Sequence, residues 1–295
     1  MASRALDRPL PRRLRKHAAE RLLLPLQRVA ECWSAGRIRV LTPESDEPRL
    51  LPLDALIFAE DQLLFDGVPI ERPATLSYAL LNKPKFVTST TYDPDGRENL
   101  SPYLREMPKG CFPVGRLDRE TSGLLLCTND GDLANAVLRP DHETTKAYWL
   151  WLDDTLEPDD PRLSRMLQGV DHHGQLLAAK EARIVARTEY ATELELTLTQ
   201  GRNHQIRHMC RALQLHLRHL HRSRIGPLSD AGLALGAWRS LGAEEVEALW
   251  SATGGKAWLR QRKLAALSRL ARAAREAGAP LARLEAWLAD EREPG

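Results

Sequence analysis

Apolar residues recur at helical spacing between residues 10 and 35, where Leu14, Leu22, Leu26, Val29 and Trp33 stand among charges. Pro25 should split that stretch into two helices. Gly36 is placed to cap the second, and Arg37-Ile-Arg-Val40 then alternates as a short strand. Residues 42–52, rich in Pro and acids, read as a loop. Short strands resume over 54–70 and end in the turn Asp66-Gly67. A helix pair followed by small strands makes a module of roughly 70 residues, near the lower limit for independent folding. Pro73 lies near its boundary.

From residue 77 the strands lengthen. Tyr78–Asn82, Phe86–Thr91, Gly123–Thr128 and Lys146–Leu152 are strand candidates, and Glu193–Thr199 alternates cleanly, so one face should be buried and the other wet. Asn129-Asp130-Gly-Asp reads as a helix start before Leu133–Leu138. Residues 203–217 read as an amphipathic helix, with Ile206, Met209, Cys210, Leu213 and Leu217 on one face and His204, Arg207, His208 and Arg211 on the other. Residues 244–250 and 256–277 look helical, Gly278-Ala-Pro280 interrupts, and a last helix runs to about 290. Strands and helices do not alternate regularly. An α+β domain on a mixed or antiparallel sheet therefore fits better than a doubly wound fold. The expected division is a small module over 1–75, a main domain over 76–241 and a basic helical extension over 242–295.

Composition changes the picture mainly through where the charge sits. Net charge is only +2, yet residues 1–39 carry ten Lys/Arg against three acids, and residues 40–71 reverse this with one Arg against eight acids. Residues 201–224 hold six Arg, five His and no acid, and 256–276 hold seven Lys/Arg and one Glu. Clusters of cations, rather than net charge, are what a polyanion needs, so nucleic acid is the indicated partner. No apolar run approaches the ~20 residues of a membrane span. The N-terminus has no apolar signal core, so a cytoplasmic location is expected. Cys32, Cys111, Cys127 and Cys210 are scattered without a C-x-x-C pair, which argues against a zinc ribbon or a disulfide scaffold. His204 and His208 stand four apart, as metal ligands do, but no third ligand is evident and no metal is expected.

The most informative segment is Phe112-Pro-Val-Gly-Arg-Leu-Asp118-Arg-Glu-Thr-Ser-Gly-Leu-Leu-Leu126. It puts an acid between two glycines on a loop at a strand end, where side chains project into a cleft. A lone aspartate there would read as a turn residue. Gly115-Arg116-Leu117-Asp118-x-x-Thr121-Ser122-Gly123-Leu124, however, resembles the catalytic motif of the RNA pseudouridine synthases of the RsuA/RluA group. Leu81-Asn82-Lys83-Pro84 with Val87-Thr88-Ser89-Thr90 resembles that family's opening strand. Lys146-Ala147-Tyr148 resembles its Lys-x-Tyr motif. Gly201–Met209, continued by Leu220-His221-Arg222-Ser223-Arg224-Ile225-Gly226, resembles its third motif. The four fall in the family's order across 78–228. The first 75 residues resemble the αL-type RNA-binding module of the RsuA branch, with Leu24-Pro25-Leu26-Gln27-Arg28 where a Ser-Arg-Arg-Glu-like turn is usual. Ser229–Leu241 resembles the tail of the RluF-type subgroup, which acts on large-subunit ribosomal RNA.

The resemblance implies an isomerase that turns a specific uridine of RNA into pseudouridine in a central cleft of the sheet. Asp118 would meet the sugar, either attacking it or removing a proton. Arg207 would hold that carboxylate ionised through a bidentate pair in a dry pocket, and Tyr148 would stack on the uracil. Arg116 would enter the RNA stack as the base leaves it. Arg119, Lys146, Arg202, His204, Arg211 and Arg222, with Arg28 and Arg37 in the small module, are candidate RNA contacts. The isomerisation gains and loses no atoms, so no cofactor is expected. The expected partner is ribosomal RNA, that of the large subunit, bound by a monomer. Small-subunit RNA, transfer RNA and a non-catalytic ribosome-assembly role are the alternatives, along with a glycosylase that would release free uracil.

Overall fold

In the computed structural model, which describes residues 9–70, 76–139, 144–278 and 281–292, the chain forms two compact units. One runs Leu76–Thr253; the other joins the chain up to Thr75 with the chain from Gly254 onward.

In the second of these units, β1 (Arg12–Arg13) leads into α1 (Leu14–Leu22). Leu23, left-handed at φ 54°, ends that helix, and Pro25 starts α2 (Leu26–Ser34). β2 (Ile38–Leu41) follows, then β3 (Leu56–Ile57), β4 (Gln62–Phe65) and β5 (Val68–Pro69). β1 pairs with β3, and β2-β4-β5 make a small antiparallel sheet. Leu14, Ala18, Val29, Cys32, Ile38, Val40 and Leu63 bury between helices and sheet. The two helices, the Pro25 break and the short strands follow the sequence pattern.

The larger unit is built on β6 (Tyr78–Lys83), α3 (Ser101–Glu106), β7 (Phe112–Pro113), β8 (Thr121–Thr128), α4 (Gly131–Leu138), β9 (Lys146–Leu152) and α5 (Pro161–Gln168). A hairpin of β10 (Val170–His172) and β11 (Gln175–Leu177) comes next, then β12 (Glu181–Arg187), β13 (Thr192–Leu198), α6 (Gln205–Ala212), β14 (Leu217–Ile225), β15 (Leu228–Ser229), β16 (Trp238–Ser240) and α7 (Ala243–Ser251). The main sheet runs β12-β13-β9-β14-β8-β6-β16. Its pairings are antiparallel except β14 with β8, which makes it a mixed sheet of an α+β domain. All eight residues of β8 are buried, as suits a strand covered on both faces. Asp130 caps α4, accepting from the backbone N–H groups of Asp132 and Leu133.

Three sequence readings are corrected. Phe86–Thr91 is not a strand: Phe86 is left-handed at φ 68°, and the Ser89 and Thr90 hydroxyls donate to backbone carbonyls. The helix read over 203–217 stops at Ala212, because Gln214 turns left-handed at φ 54°, and Leu217 opens β14 instead. The stretch read as one C-terminal extension divides at Gly254. α7 belongs to the larger unit, whereas α8 (Gly255–Glu276) and α9 (Ala282–Arg292) complete the smaller one. Leu267 and Ala271 of α8 and Leu284, Trp287 and Leu288 of α9 bury with Phe58. Arg283 donates to the fully buried Asp61 carboxylate at 2.8 Å and to Glu60 at 3.0 Å, with its guanidinium 4.4 Å from the Phe58 ring. A module too small to bury much surface alone thereby gains a second core.

Candidate active site

Gly115, at φ 79°, turns the chain out of β7, and the loop Arg116–Glu120 delivers Asp118 just before β8. Main-chain bonds define this loop. The Thr121 N–H donates to the Asp118 carbonyl at 3.0 Å, and the Phe86 N–H donates to the Arg119 carbonyl at 2.7 Å. The Ser89 hydroxyl closes a clamp: it donates to the Leu117 carbonyl at 2.7 Å and accepts from the Leu117 N–H at 3.0 Å. Lys83 supports the clamp from below. It is fully buried, and its Nζ donates to the carbonyls of Pro84 at 2.9 Å and Val87 at 2.8 Å. Burial, with the Arg222 charge second, lowers the Lys83 ammonium to about 8.

Asp118 lines a cavity of about 350 Å³ together with Tyr148, Lys146, His204, Arg207 and Arg222, a size within the range of small-molecule sites. Its Oδ2 lies 3.8 Å from Arg207 Nε and 3.8 Å from His204 Nδ1, and its side chain is 26% exposed. This corrects the expected bidentate pair in a dry pocket. The Arg207 guanidinium spends Nη2 on the Thr121 hydroxyl at 3.3 Å and faces Asp118 as a nearby charge. The carboxylate is half-buried, so removing Arg207 should cost less than the ~3–5 kcal/mol of breaking a fully buried pair. Tyr148 is 8% exposed, with its phenol on the cavity side of β9. Asp118, Arg207 and Tyr148, far apart in sequence, thus line one cavity.

The remaining candidates fall into three groups. Arg116 and Arg202 are exposed and line the same cavity, Arg202 donating to Gln175 at 3.1 Å. Lys146 and Arg222 line it from half-buried and buried positions. Arg119 points elsewhere, paired with Glu120 at 3.0 Å and lying over the Phe86 ring at 5.2 Å. Arg211 is exposed in the last turn of α6, outside the cavity lining. In the small unit Arg28 pairs with Glu31, and Arg37 makes a two-pronged contact with Asp66 at 2.6 and 2.9 Å. Exposed pairs of that kind contribute little stability, and they leave the two arginines partly neutralised. His208 stacks on His172 at 3.8 Å between ring centroids, while His204 stands 6.2 Å from it. Among the described residues no group of three or more His, Cys, Asp or Glu is placed to hold a metal ion.

Sequence reasoning quoted Ser89, Lys83 and Thr121 only as motif letters; their work is to fix the loop and the arginine. Ser89→Ala should therefore lower the turnover of whatever reaction Asp118 serves by about tenfold, through misplacement of the loop. KM should change less than threefold, and the melting temperature by only a few degrees, near the effect of ~1 kcal/mol for one hydrogen-bonding group. Steady-state kinetics beside a melting curve checks the split.

Comparison with known proteins agrees with this geometry. Residues 77–212 match a family model described as RNA pseudouridylate synthase. The ribosomal large subunit pseudouridine synthase B of Bacillus subtilis is 30% identical over 239 residues, 80% of this chain and 95% of that one. The ribosomal small subunit pseudouridine synthase A of Escherichia coli is 33% identical over 193 residues, covering 64% and 81%. A crystal structure of a pseudouridylate synthase superposes with a TM-score of 0.54 at 26% identity, over 82% of this chain and all of the other.

Proposed function

Because the chain belongs to the RNA pseudouridylate synthase family, in its RsuA-type branch, we propose that it isomerises one uridine of large-subunit ribosomal RNA. The observation that carries the chemistry is the shared cavity of Asp118, Arg207 and Tyr148. A uridine everted from its stack presents its sugar to a carboxylate at the loop and its base to the phenol behind it. Arg207 Nε and His204 Nδ1 each stand 3.8 Å from the carboxylate oxygen. The bond from the ribose C1′ to N1 breaks, the base turns, and C1′ joins C5; the atoms balance with no redox partner. Arg116 and Arg202, exposed at the same cavity, are suited to the phosphates on either side, and eversion requires such contacts to offset a few kcal/mol of lost stacking. The RluF-type resemblance of 229–241 supports the choice of large-subunit RNA; that segment is held against β6, where Asn82 donates to the Leu233 carbonyl at 2.8 Å and bonds Gly236 and Ala237. The near-complete coverage of the large-subunit relative supports the same choice.

The test maps pseudouridine in cellular RNA from cells with and without this protein. Loss of modification at one or two large-subunit uridines is the expected result. Loss in small-subunit or transfer RNA would replace the target, and an unchanged map would remove the function.

A further inference from the structure

The cavity floor is more positive than its mouth explains. Among its described lining residues Asp118 is the single acid, against Arg116, Lys146, Arg202, Arg207 and Arg222. Arg116 and Arg202 are exposed at the rim. Arg222 is different: only 6% of it is exposed, its Nε donates to the Leu124 carbonyl at 2.7 Å, and its Nη2 is buried with no partner. A buried guanidinium N–H left without an acceptor is costly, and its place in the lining of a cavity marks it as a donor waiting for a guest. β14 sets Arg222 opposite Tyr148 of β9, so the guanidinium and the phenol share the cavity face of adjacent strands. Lys146, two residues before Tyr148, points to the same face. Burial lowers its ammonium to about 8, with the Arg222 charge adding to the effect, which marks the floor as a place where positive charge lacks compensation.

We propose that Arg222, seconded by Lys146, receives the negative charge of the uracil ring while it is detached from the ribose. The inference rests on the functional reading above and goes beyond it by assigning these two cations to the base rather than to phosphate. A flipped nucleotide enters base first, so its phosphates stay with the exposed rim arginines, and the base reaches the buried floor beside Tyr148. When C1′–N1 breaks, its electron pair stays on the ring and spreads over N1 and the carbonyl oxygens, which are acceptors for a guanidinium and an ammonium. The electron-poor C1′ is balanced by the Asp118 carboxylate, however the two engage. When C1′–C5 forms, the ring returns a pair, C5 gives up its proton, N1 takes one up, and the ring leaves neutral. The charge thus exists only between the two bonds, and donors fixed in place to meet it lower that barrier without tightening the ground state.

The experiment uses the full-length protein and the RNA identified by the map. Arg222→Gln and Lys146→Met are compared with the parent for single-turnover pseudouridine formation, RNA affinity and its dependence on salt. Arg222→Gln should slow formation by about 100-fold, with affinity within threefold and the salt slope unchanged. Lys146→Met should show the same split with a smaller loss, and it carries the test if the glutamine variant melts below the assay temperature. Loss of affinity with a salt slope shallower by about one would make these residues phosphate contacts and overturn the proposal. An unchanged rate in both variants would overturn it as well. A parent protein that forms no pseudouridine would instead sink the functional reading.

Discussion

Asp118→Asn should abolish pseudouridine formation, by a factor of about 10⁴ or more, in a protein that still folds and still binds its RNA. The substitution keeps the shape and removes the charge. The turn holding the residue is made by main-chain groups, Thr121 N–H to Asp118 C=O and the Ser89 clamp on Leu117, so an amide side chain leaves it intact. The carboxylate is half-buried, and its neighbours Arg207 and His204 stand 3.8 Å away, beyond hydrogen-bond length. Stability should therefore move by no more than about 1 kcal/mol. Affinity should hold or rise, because the change removes the one acid among the described lining residues, against five Lys/Arg, of a cavity that is to receive a polyanion. The measurement is single-turnover conversion of the target RNA beside a binding isotherm. An Asn variant working within tenfold of the parent would reduce Asp118 to a turn residue and remove the active centre with it.

The bipartite helix pair, the buried β8 and the cap at Asp130 were legible because each rests on local rules: Pro25 in a helical period, Gly123–Thr128 as an unbroken apolar run, Asp130 before a helix. Readings failed where a hydroxyl or a left-handed residue overrode the pattern. Val87–Thr91 has strand composition, yet its Ser and Thr side chains serve the backbone. Leu217 continues the spacing of α6, yet Gln214 has already broken it. β12 escaped notice because Glu181–Arg187 is an edge strand, largely exposed, with Ile184 as its main packing residue. The site is a harder case. Asp118, Tyr148 and Arg207 lie on a loop, a strand and a helix, and only family resemblance placed them together in advance. Nothing in the sequence distinguishes the buried Arg222, with an unused donor, from the exposed Arg224 two positions on, which pairs with Glu195 at 2.6 Å. A β-bulge between them makes that difference: Arg222 lies opposite Tyr148 and Arg224 opposite Ala147, on the other face of the sheet, and the bulge depends on the whole fold.

Gly123→Ala should be the most destabilising single-methyl change in the larger unit, costing about 2–5 kcal/mol. Gly123 has φ 111°, which an L side chain rarely adopts. A Cβ there would stand 2.3 Å from the Arg222 carbonyl oxygen and 2.5 Å from its nitrogen. Those are backbone atoms of the parallel neighbour β14, paired in register with Gly123, so no rotamer relieves the contact. The strands could part only by straining what ties them on the opposite face, where the Ser122 hydroxyl meets His221 Nδ1 at 2.8 Å and His221 Nε2 meets Asp230 at 2.7 Å. Gly115 supplies the control. It too has positive φ, at 79°, but a Cβ there would meet Cδ2 of Leu138 at 2.9 Å, the end of a half-exposed, flexible side chain. Gly115→Ala should cost only the backbone strain, about 1 kcal/mol. Urea unfolding of both variants measures the gap, and equal losses would refute the close strand approach. The gap also ties the motif to its chemistry. The glycine that follows the catalytic loop lets β8 lie close enough to β14 for Leu124 to accept from Arg222 at 2.7 Å. A methyl group that separates the strands should therefore slow catalysis in whatever fraction of Gly123→Ala molecules still folds.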